Sequence, residues 1–221
     1  MAENIFLFVP NLIGYARIVL ALLSFYYMKD DYLKAIIFYF LSVFLDAFDG
    51  YAARILDQST RFGSILDQLT DRVGTMCLTM ILGLLYPEYI FLFQISNMID
   101  IAGHWIHIWV GLLKGKSSHK YIDPSENPVL RLYYTSRPVL FFMCSANELF
   151  YISLYLVYFT EGPFVTFAGQ GLFRLLVKVC GPLALLKHII TLIQVVAACM
   201  NIAALDVSER DVARQSTEKN K

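Results

Sequence analysis

Six long apolar stretches alternate with short polar ones, at approximately Pro10–Met28, Leu33–Arg54, Phe62–Tyr86, Tyr89–Leu113, Pro138–Thr160 and Val179–Met200. A helix needs about 20 mostly apolar residues to cross the hydrocarbon of a bilayer. Peptide groups in lipid must be satisfied within their own segment, so such spans are helical. The pattern predicts an all-α, polytopic membrane protein with a bundle of about six transmembrane helices. Pro10 suits the first turn of a helix, where its missing N–H costs nothing. Pro87 follows the third span, and Gly181-Pro182 lies near the start of the sixth. Residues 3–9 suit an interfacial segment ahead of the first span, and residues 115–129 form the one clear loop. The start, MAENIFLFVPN, lacks the basic region of a cleavable signal peptide.

Composition agrees with the pattern and excludes other classes. The hydrophobic share is 57% and the charged share 16%, against about 45–50% and 25% in soluble domains. Lys+Arg and Asp+Glu number 18 each, so no basic footprint for nucleic acid exists. Four cysteines without a C-x-x-C pair exclude a disulfide scaffold. Cys77, Cys144, Cys180 and Cys199 lie within spans and are expected to be small core residues. The 17 Phe and 14 Tyr are expected on lipid-facing or interfacial surface. Positive charges in short loops favour the cytosolic side. Arg54, Arg61, the Lys and Arg residues of 114–137, and those after Asp206 would share that side, with both termini cytosolic. Arg174 and Lys178 sit against this trend. The chain divides into a membrane domain at 1–205 and a polar cytosolic tail at 206–221.

The chemistry concentrates where spans two and three meet. Asp46 and Asp49 are spaced i,i+3, and Asp67 and Asp71 i,i+4, so each pair shares a helix face. The short connection makes the helices antiparallel neighbours, so the pairs can face each other. An Asp at the centre of a membrane helix costs about 2.5–3.5 kcal/mol, so four approach about 10 kcal/mol when unpaired. A cation or water must offset that cost. Pairing with Arg54 or Arg72 is the structural alternative. Oxygen-only donors select hard cations such as Mg²⁺, Mn²⁺ or Ca²⁺. Four carboxylates on two helices suit a two-ion site of the kind used in phosphoryl chemistry. Gly50, Ala53 and Gly63 strip bulk from the same faces, and Arg54 offers a planar cation for phosphate.

Together these residues read Asp46-Ala-Phe-Asp49-Gly50-Tyr-Ala-Ala53-Arg54, eight residues, then Gly63-Ser-Ile-Leu-Asp67-Gln-Leu-Thr-Asp71. This resembles, at every fixed position, the signature D-x2-D-G-x2-A-R-x8-G-x3-D-x3-D of the CDP-alcohol phosphatidyltransferase family. Outside it, NIFLFVPNLIGYARI, NPVLRLYYTSRP, NELFY and ALLKHII are similar to the animal members that take inositol. The resemblance implies transfer of a substituted phosphate from a CDP-linked donor to an alcohol, with release of CMP. The implied donor is CDP-diacylglycerol, the acceptor myo-inositol and the product phosphatidylinositol. It implies Mg²⁺ or Mn²⁺ held by Asp46, Asp49, Asp67 and Asp71, with Asp71 as proton acceptor. It places the donor's nucleotide on Gly50, Arg54 and Thr60. It also implies a homodimer in the endoplasmic reticulum membrane, with the active site facing the cytosol. The signature alone leaves glycerol phosphate, serine and diacylglycerol open as acceptors.

Other polar residues lie inside spans. Asp100, His104 and His107 share a face of span four and either line a polar cavity, ligate metal, or form a structural pair. Asn147 and Glu148 suit interhelical contacts. Lys187 and His188 either reach the cavity or snorkel. Arg137 is a candidate contact for inositol, or a headgroup anchor.

Overall fold

The computed structural model describes residues 4–113 and 136–219, except for the side chains of 107, 111–113, 137, 167 and 218–219. Among the described residues six long helices dominate: α1 Val9–Tyr27, α2 Tyr32–Ile55, α3 Arg61–Leu85, α4 Ile90–Leu113, α5 Arg137–Phe159 and α6 Leu172–Lys219. Four of them, α1, α2, α5 and α6, are long and apolar enough to cross a membrane. α3 and α4, with 25 and 24 residues, have the length for it as well. α3 carries Arg61, Asp67, Asp71 and Arg72, which dilutes its apolar character.

The first five helices fall within a few residues of the expected spans. The sixth does not. It runs for 48 residues, with Pro182 inside it rather than near its start. At 1.5 Å per residue that is about 72 Å, more than twice the hydrocarbon thickness of a bilayer. Residues 206–219, expected as a polar tail, continue the helix with exposed charges at Asp206, Glu209, Arg210 and Asp211. Asp206 and Arg210 stand i,i+4, the spacing that supports a solvated helix. The sequence's polar character there marked the end of the apolar face, not the end of the helix.

Two compact units divide the chain, Met1–Phe93 with Tyr151–Arg174, and Gln94–Phe150 with Leu175–Lys221. In the first, α1 buries Asn11, Gly14, Arg17, Ala21 and Ser24, a small and polar face. Its apolar residues, such as Val19, Leu22 and Tyr26, are exposed. Lipid tails are as apolar as leucine, so helix pairing in a bilayer relies on small residues and hydrogen bonds. Ser24 Oγ donates to the Ala35 carbonyl at 2.8 Å, and Ser42 Oγ to the Arg17 carbonyl at 3.0 Å. α1 packs along α2 and against α3, and the latter two are joined mainly through it. α2 and α3 nonetheless face each other as expected at their acidic ends, where oxygens of Asp46, Asp49 and Asp67 lie within 4.8 Å of one another.

The far ends of these helices are fastened by aromatic residues. Tyr155 donates to the Met28 carbonyl at 2.8 Å and Tyr86 to the Leu154 carbonyl at 3.1 Å. Tyr32 stacks on Phe159 at 5.1 Å. Asp31 caps α2 by accepting from the Lys34 N–H, and hydrogen bonding from Lys34 holds its carboxyl below the ordinary pKa. Between α5 and α6, Phe164–Val165 pairs antiparallel with Gln170–Gly171, a small sheet the sequence pattern did not predict. Beside it, Arg174 meets Glu161 at 2.6 Å, so the positive charge that ran against the trend has its counter-ion.

The second unit has a small apolar core of Met143 and Ile190, with Val139, Leu183 and Ala197 around it. Its charged centre is the buried pair of Lys187 and Asp100, 3.2 Å apart. His104 Nδ1 lies 2.7 Å from the Asp100 carbonyl oxygen and 3.7 Å from its carboxylate. Asp100 is therefore paired with Lys187, whose ammonium is buried and does not snorkel. His107's side chain lies outside the described residues. Of the cysteines, only Cys180 is buried, while Cys144 and Cys199 are exposed and Cys77 is intermediate. The expectation of four core cysteines is corrected: helix rotation turns two of them outward.

Breaking a buried ion pair from one side leaves a charge without compensation and costs about 3–5 kcal/mol. Asp100→Asn is expected to lose stability on that scale, and Asp100→Leu combined with Lys187→Met to recover most of it. Thermal unfolding of the purified protein in detergent makes the comparison. A single variant as stable as the parent contradicts the pairing.

Candidate functional site

Asp46 and Asp49 lie in the last turns of α2, and Asp67 and Asp71 in the first turns of α3. Oxygens of Asp46, Asp49 and Asp67 lie within 4.8 Å of one another. Asp71 is not part of that group. It is tied to the others by a residue the sequence argument overlooked. The Arg17 guanidinium, 2% exposed, lies 2.6 Å from each of the four carboxylates. Nη1 reaches Asp49 Oδ2 and Asp67 Oδ1, and Nη2 reaches Asp46 Oδ1 and Asp71 Oδ1. Each nitrogen joins one residue of α2 to one of α3.

The expected arginine partners take other places. Arg72 comes only within 3.9 Å of Asp71. Arg54 folds back over Gly50, where a Cβ would stand 3.4 Å from its Nη1. The signal for Arg17 was present in the chain, because it is the one charged residue of α1. A charge within a membrane helix faces the bundle interior and has a partner. Spacing relates the acids only to arginines on their own helices, Arg54 on α2 and Arg72 on α3.

A cavity of about 290 Å³ opens beside the carboxylates. Asp49, Gly50, Arg54, Thr60, Gly63 and Asp67 line it, with Asn11 from α1 and Gln58 from the α2–α3 connection. Of the expected site residues, Asp46 and Asp71 stand outside this lining and join through Arg17. Asp100, His104, Lys187 and His188 are not among the lining residues. The side chain of Arg137 lies outside the described residues.

The cavity wall is built by caps and a close approach. Thr60 caps α3, its Oγ1 accepting from the Gly63 N–H at 3.0 Å. No side chain from its own segment caps α1. Instead the Gln58 side chain accepts from the Val9 N–H at 2.9 Å. That bond pins the α2–α3 connection to the start of α1. Asn11 donates to the Ile5 carbonyl at 2.6 Å, holding the short 3₁₀ turn Ile5–Leu7 against the same corner. Ile5, Phe6 and Leu7 are exposed, as suits the interfacial segment expected there. A Cβ on Gly63 would lie 2.9 Å from Asn11 Oδ1 and 3.2 Å from Thr60 Oγ1, so glycine is what permits this approach. Gln58 and Asn11 escaped the sequence reading because neither belongs to a spaced motif. Their role depends on contacts across long separations.

Comparison with known proteins places this geometry in a family. Residues 7–117, which contain Arg17, the cavity wall and all four carboxylates, match the model of the CDP-alcohol phosphatidyltransferase family. The chain belongs to the CDP-alcohol phosphatidyltransferases. It is similar to the CDP-diacylglycerol–inositol 3-phosphatidyltransferase of Homo sapiens, with 58% identity over 94% of this chain and 97% of the relative. The Drosophila melanogaster protein of the same name is 49% identical over 98% and 94%. That of Saccharomyces cerevisiae is 37% identical over 100% and 94%. No solved structure matches the chain. The phosphatidyltransferase signature therefore sits on α2 and α3, and α1 supplies the guanidinium that touches all four of its carboxylates.

Overpacking a tight contact costs about 1–3 kcal/mol. Gly63→Ala is expected to lower stability on that scale, because Asn11 and Thr60 must both give way. In the Asn11→Ala background the added loss from Gly63→Ala is expected to be smaller. A double-mutant cycle by thermal unfolding tests this, and strictly additive losses would contradict the contact.

Proposed function

We propose that this chain transfers the phosphatidyl group of CDP-diacylglycerol to myo-inositol, giving phosphatidylinositol and CMP. The observation that carries the reading is the 58% identity to the human inositol phosphatidyltransferase, spread over 94% of the chain. The cavity beside the carboxylate cluster gives the donor's nucleotide a place. Gly50 offers room against the backbone, Arg54 a planar cation for phosphate, and Thr60 a hydroxyl on the wall.

Asp46, Asp49, Asp67 and Asp71 are the proposed holders of Mg²⁺ or Mn²⁺. Oxygens only, on three side chains within 4.8 Å, fit a hard cation. The side chains of Asp46, Asp67 and Asp71 are 42%, 45% and 38% exposed, so oxygens remain open to a ligand. When bound, such ions polarise phosphoryl oxygens and stabilise the leaving phosphate. The rest of the chemistry falls to the chain. An inositol hydroxyl is a poor nucleophile, and a carboxylate within hydrogen-bond reach assists by taking its proton as attack proceeds. Asp71 is the proposed acceptor. The new oxygen–phosphorus bond forms on the phosphorus that bears diacylglycerol, and the bond to CMP breaks. The acyl chains stay in lipid while the cytidine head reaches the cavity.

This reading includes six spans, counting α3 and α4, with both termini and the active site on the cytosolic side. Arg54, Arg61 and the basic residues of the tail support that orientation. A homodimer in the endoplasmic reticulum membrane follows from the family resemblance and belongs to the same proposal.

Three outcomes are expected. Purified protein given CDP-diacylglycerol should release CMP with myo-inositol and not with glycerol phosphate or serine. Chelation should abolish the release, Mg²⁺ or Mn²⁺ should restore it, and Asp71→Asn should lower it at least about a hundredfold. Turnover near the parent rate in Asp71→Asn contradicts the base assignment, and release with serine alone contradicts the acceptor. For orientation, Ser59→Cys in sealed microsomes should react with an impermeant thiol reagent added outside. Labelling only after the lumen is opened contradicts a cytosolic site.

A further inference from the structure

Arg17 holds four carboxylates with two nitrogens, and little else holds Arg17. Its Nε is buried and has no hydrogen-bond partner among the described residues. The guanidinium is thus fixed by the acids alone, at the cost of one unsatisfied donor. Its backbone is fixed separately, by Ser42 Oγ donating to the Arg17 carbonyl. That backbone bond is a tie between α1 and α2 that does not pass through the acids.

We infer that Arg17 is a built-in cation that competes with divalent metal for Asp46, Asp49, Asp67 and Asp71, and so sets how tightly the site binds metal before the donor arrives. The inference rests on the reading that these four residues hold the metal. The guanidinium takes one oxygen of each carboxylate, so a metal on the same carboxylates has the remaining oxygens and a cation beside every ligand. The two cations also repel. Nη1 spans Asp49 and Asp67, two of the three residues whose oxygens converge, and Nη2 takes the third, Asp46. A metal that engages this group meets the guanidinium at every ligand.

Charge gives the competition a direction. Four carboxylates and one guanidinium leave three negative charges in excess, gathered on partly exposed side chains around one buried cation. Two divalent cations turn that excess into one positive charge, which favours an incoming diphosphate. Without Arg17 the same site would be neutral once the metals are bound. Removing the guanidinium should then raise affinity for metal alone and lower affinity for the donor's diphosphate. A residue that only props the acids in place would act the other way, because its loss would scatter the ligands and weaken metal binding.

The test measures Mn²⁺ binding to the full chain in detergent, without substrate, by the electron paramagnetic resonance signal of the free ion. CDP binding in saturating Mn²⁺ is measured alongside. Arg17→Gln is expected to bind Mn²⁺ about tenfold more tightly than the parent and CDP at least severalfold more weakly. Its melting temperature without metal should fall, and saturating Mn²⁺ should recover most of the loss. Arg17→Lys keeps the charge but has one nitrogen for four acids. It is expected to bind Mn²⁺ more tightly than the parent by a smaller factor, and it decides the question if Arg17→Gln does not fold. Equal or weaker Mn²⁺ binding in the folded variants overturns the competition while leaving the metal site standing. A parent chain that binds no Mn²⁺ overturns the metal reading as well.

Discussion

The sharing of one guanidinium among four carboxylates is the interaction on which the rest of this structure depends. An Asp at the centre of a membrane helix costs about 2.5–3.5 kcal/mol on insertion scales. Here four are gathered on two helices of a chain in which four of the described helices are long and apolar enough to span a bilayer. α1 answers with a single charged residue, and that residue touches all four. This explains why α1 is inverted relative to a soluble helix. Its small and polar residues face α2 and α3, and its large apolar residues face outward. The packing of the first unit and the gathering of its acids are one arrangement.

The cavity follows from the same arrangement. α2 and α3 are joined through α1 rather than packed along each other, which leaves room between their acidic ends. That room is kept open by exchanges at the helix ends. Gln58 caps a helix that cannot cap itself, Thr60 caps its own, and Gly63 lets Asn11 come close. A phosphatidyltransferase needs such a place near lipid, because its donor combines acyl chains with a charged nucleotide. The 3₁₀ turn with exposed Ile5, Phe6 and Leu7 adds an apolar surface at the same corner.

Much of this was legible in the chain. The long apolar runs gave five of the six helices closely, because length and hydropathy alone decide whether a segment suits lipid. Spacing of two pairs of Asp, with Gly50, Arg54 and Gly63, marked the site, because helix periodicity fixes which side chains share a face. The sixth apolar run lies inside a longer helix, since hydropathy reports where a helix leaves lipid and not where its hydrogen bonds stop. The strand pair near Phe164 was too short for any alternation to show. Arg17, Asn11 and Gln58 were missed for a different reason. Each acts on residues 29 to 54, or six, or 49 positions away, and single-sequence periodicity carries no such information. Asp100 and Lys187 were each visible as buried charges, but 87 residues separate the partners.

The central claim is that the cluster built by α2, α3 and Arg17 is where metal and CDP-linked donor meet. Manganese anomalous scattering from crystals of the full chain, grown with Mn²⁺ and CDP, tests it most directly. The account predicts anomalous peaks coordinated by Asp46, Asp49 and Asp67, with the diphosphate between them and Arg54 and the base in the cavity beside Thr60. Peaks at Asp100 or elsewhere in the chain, with that cluster left without metal, would contradict it.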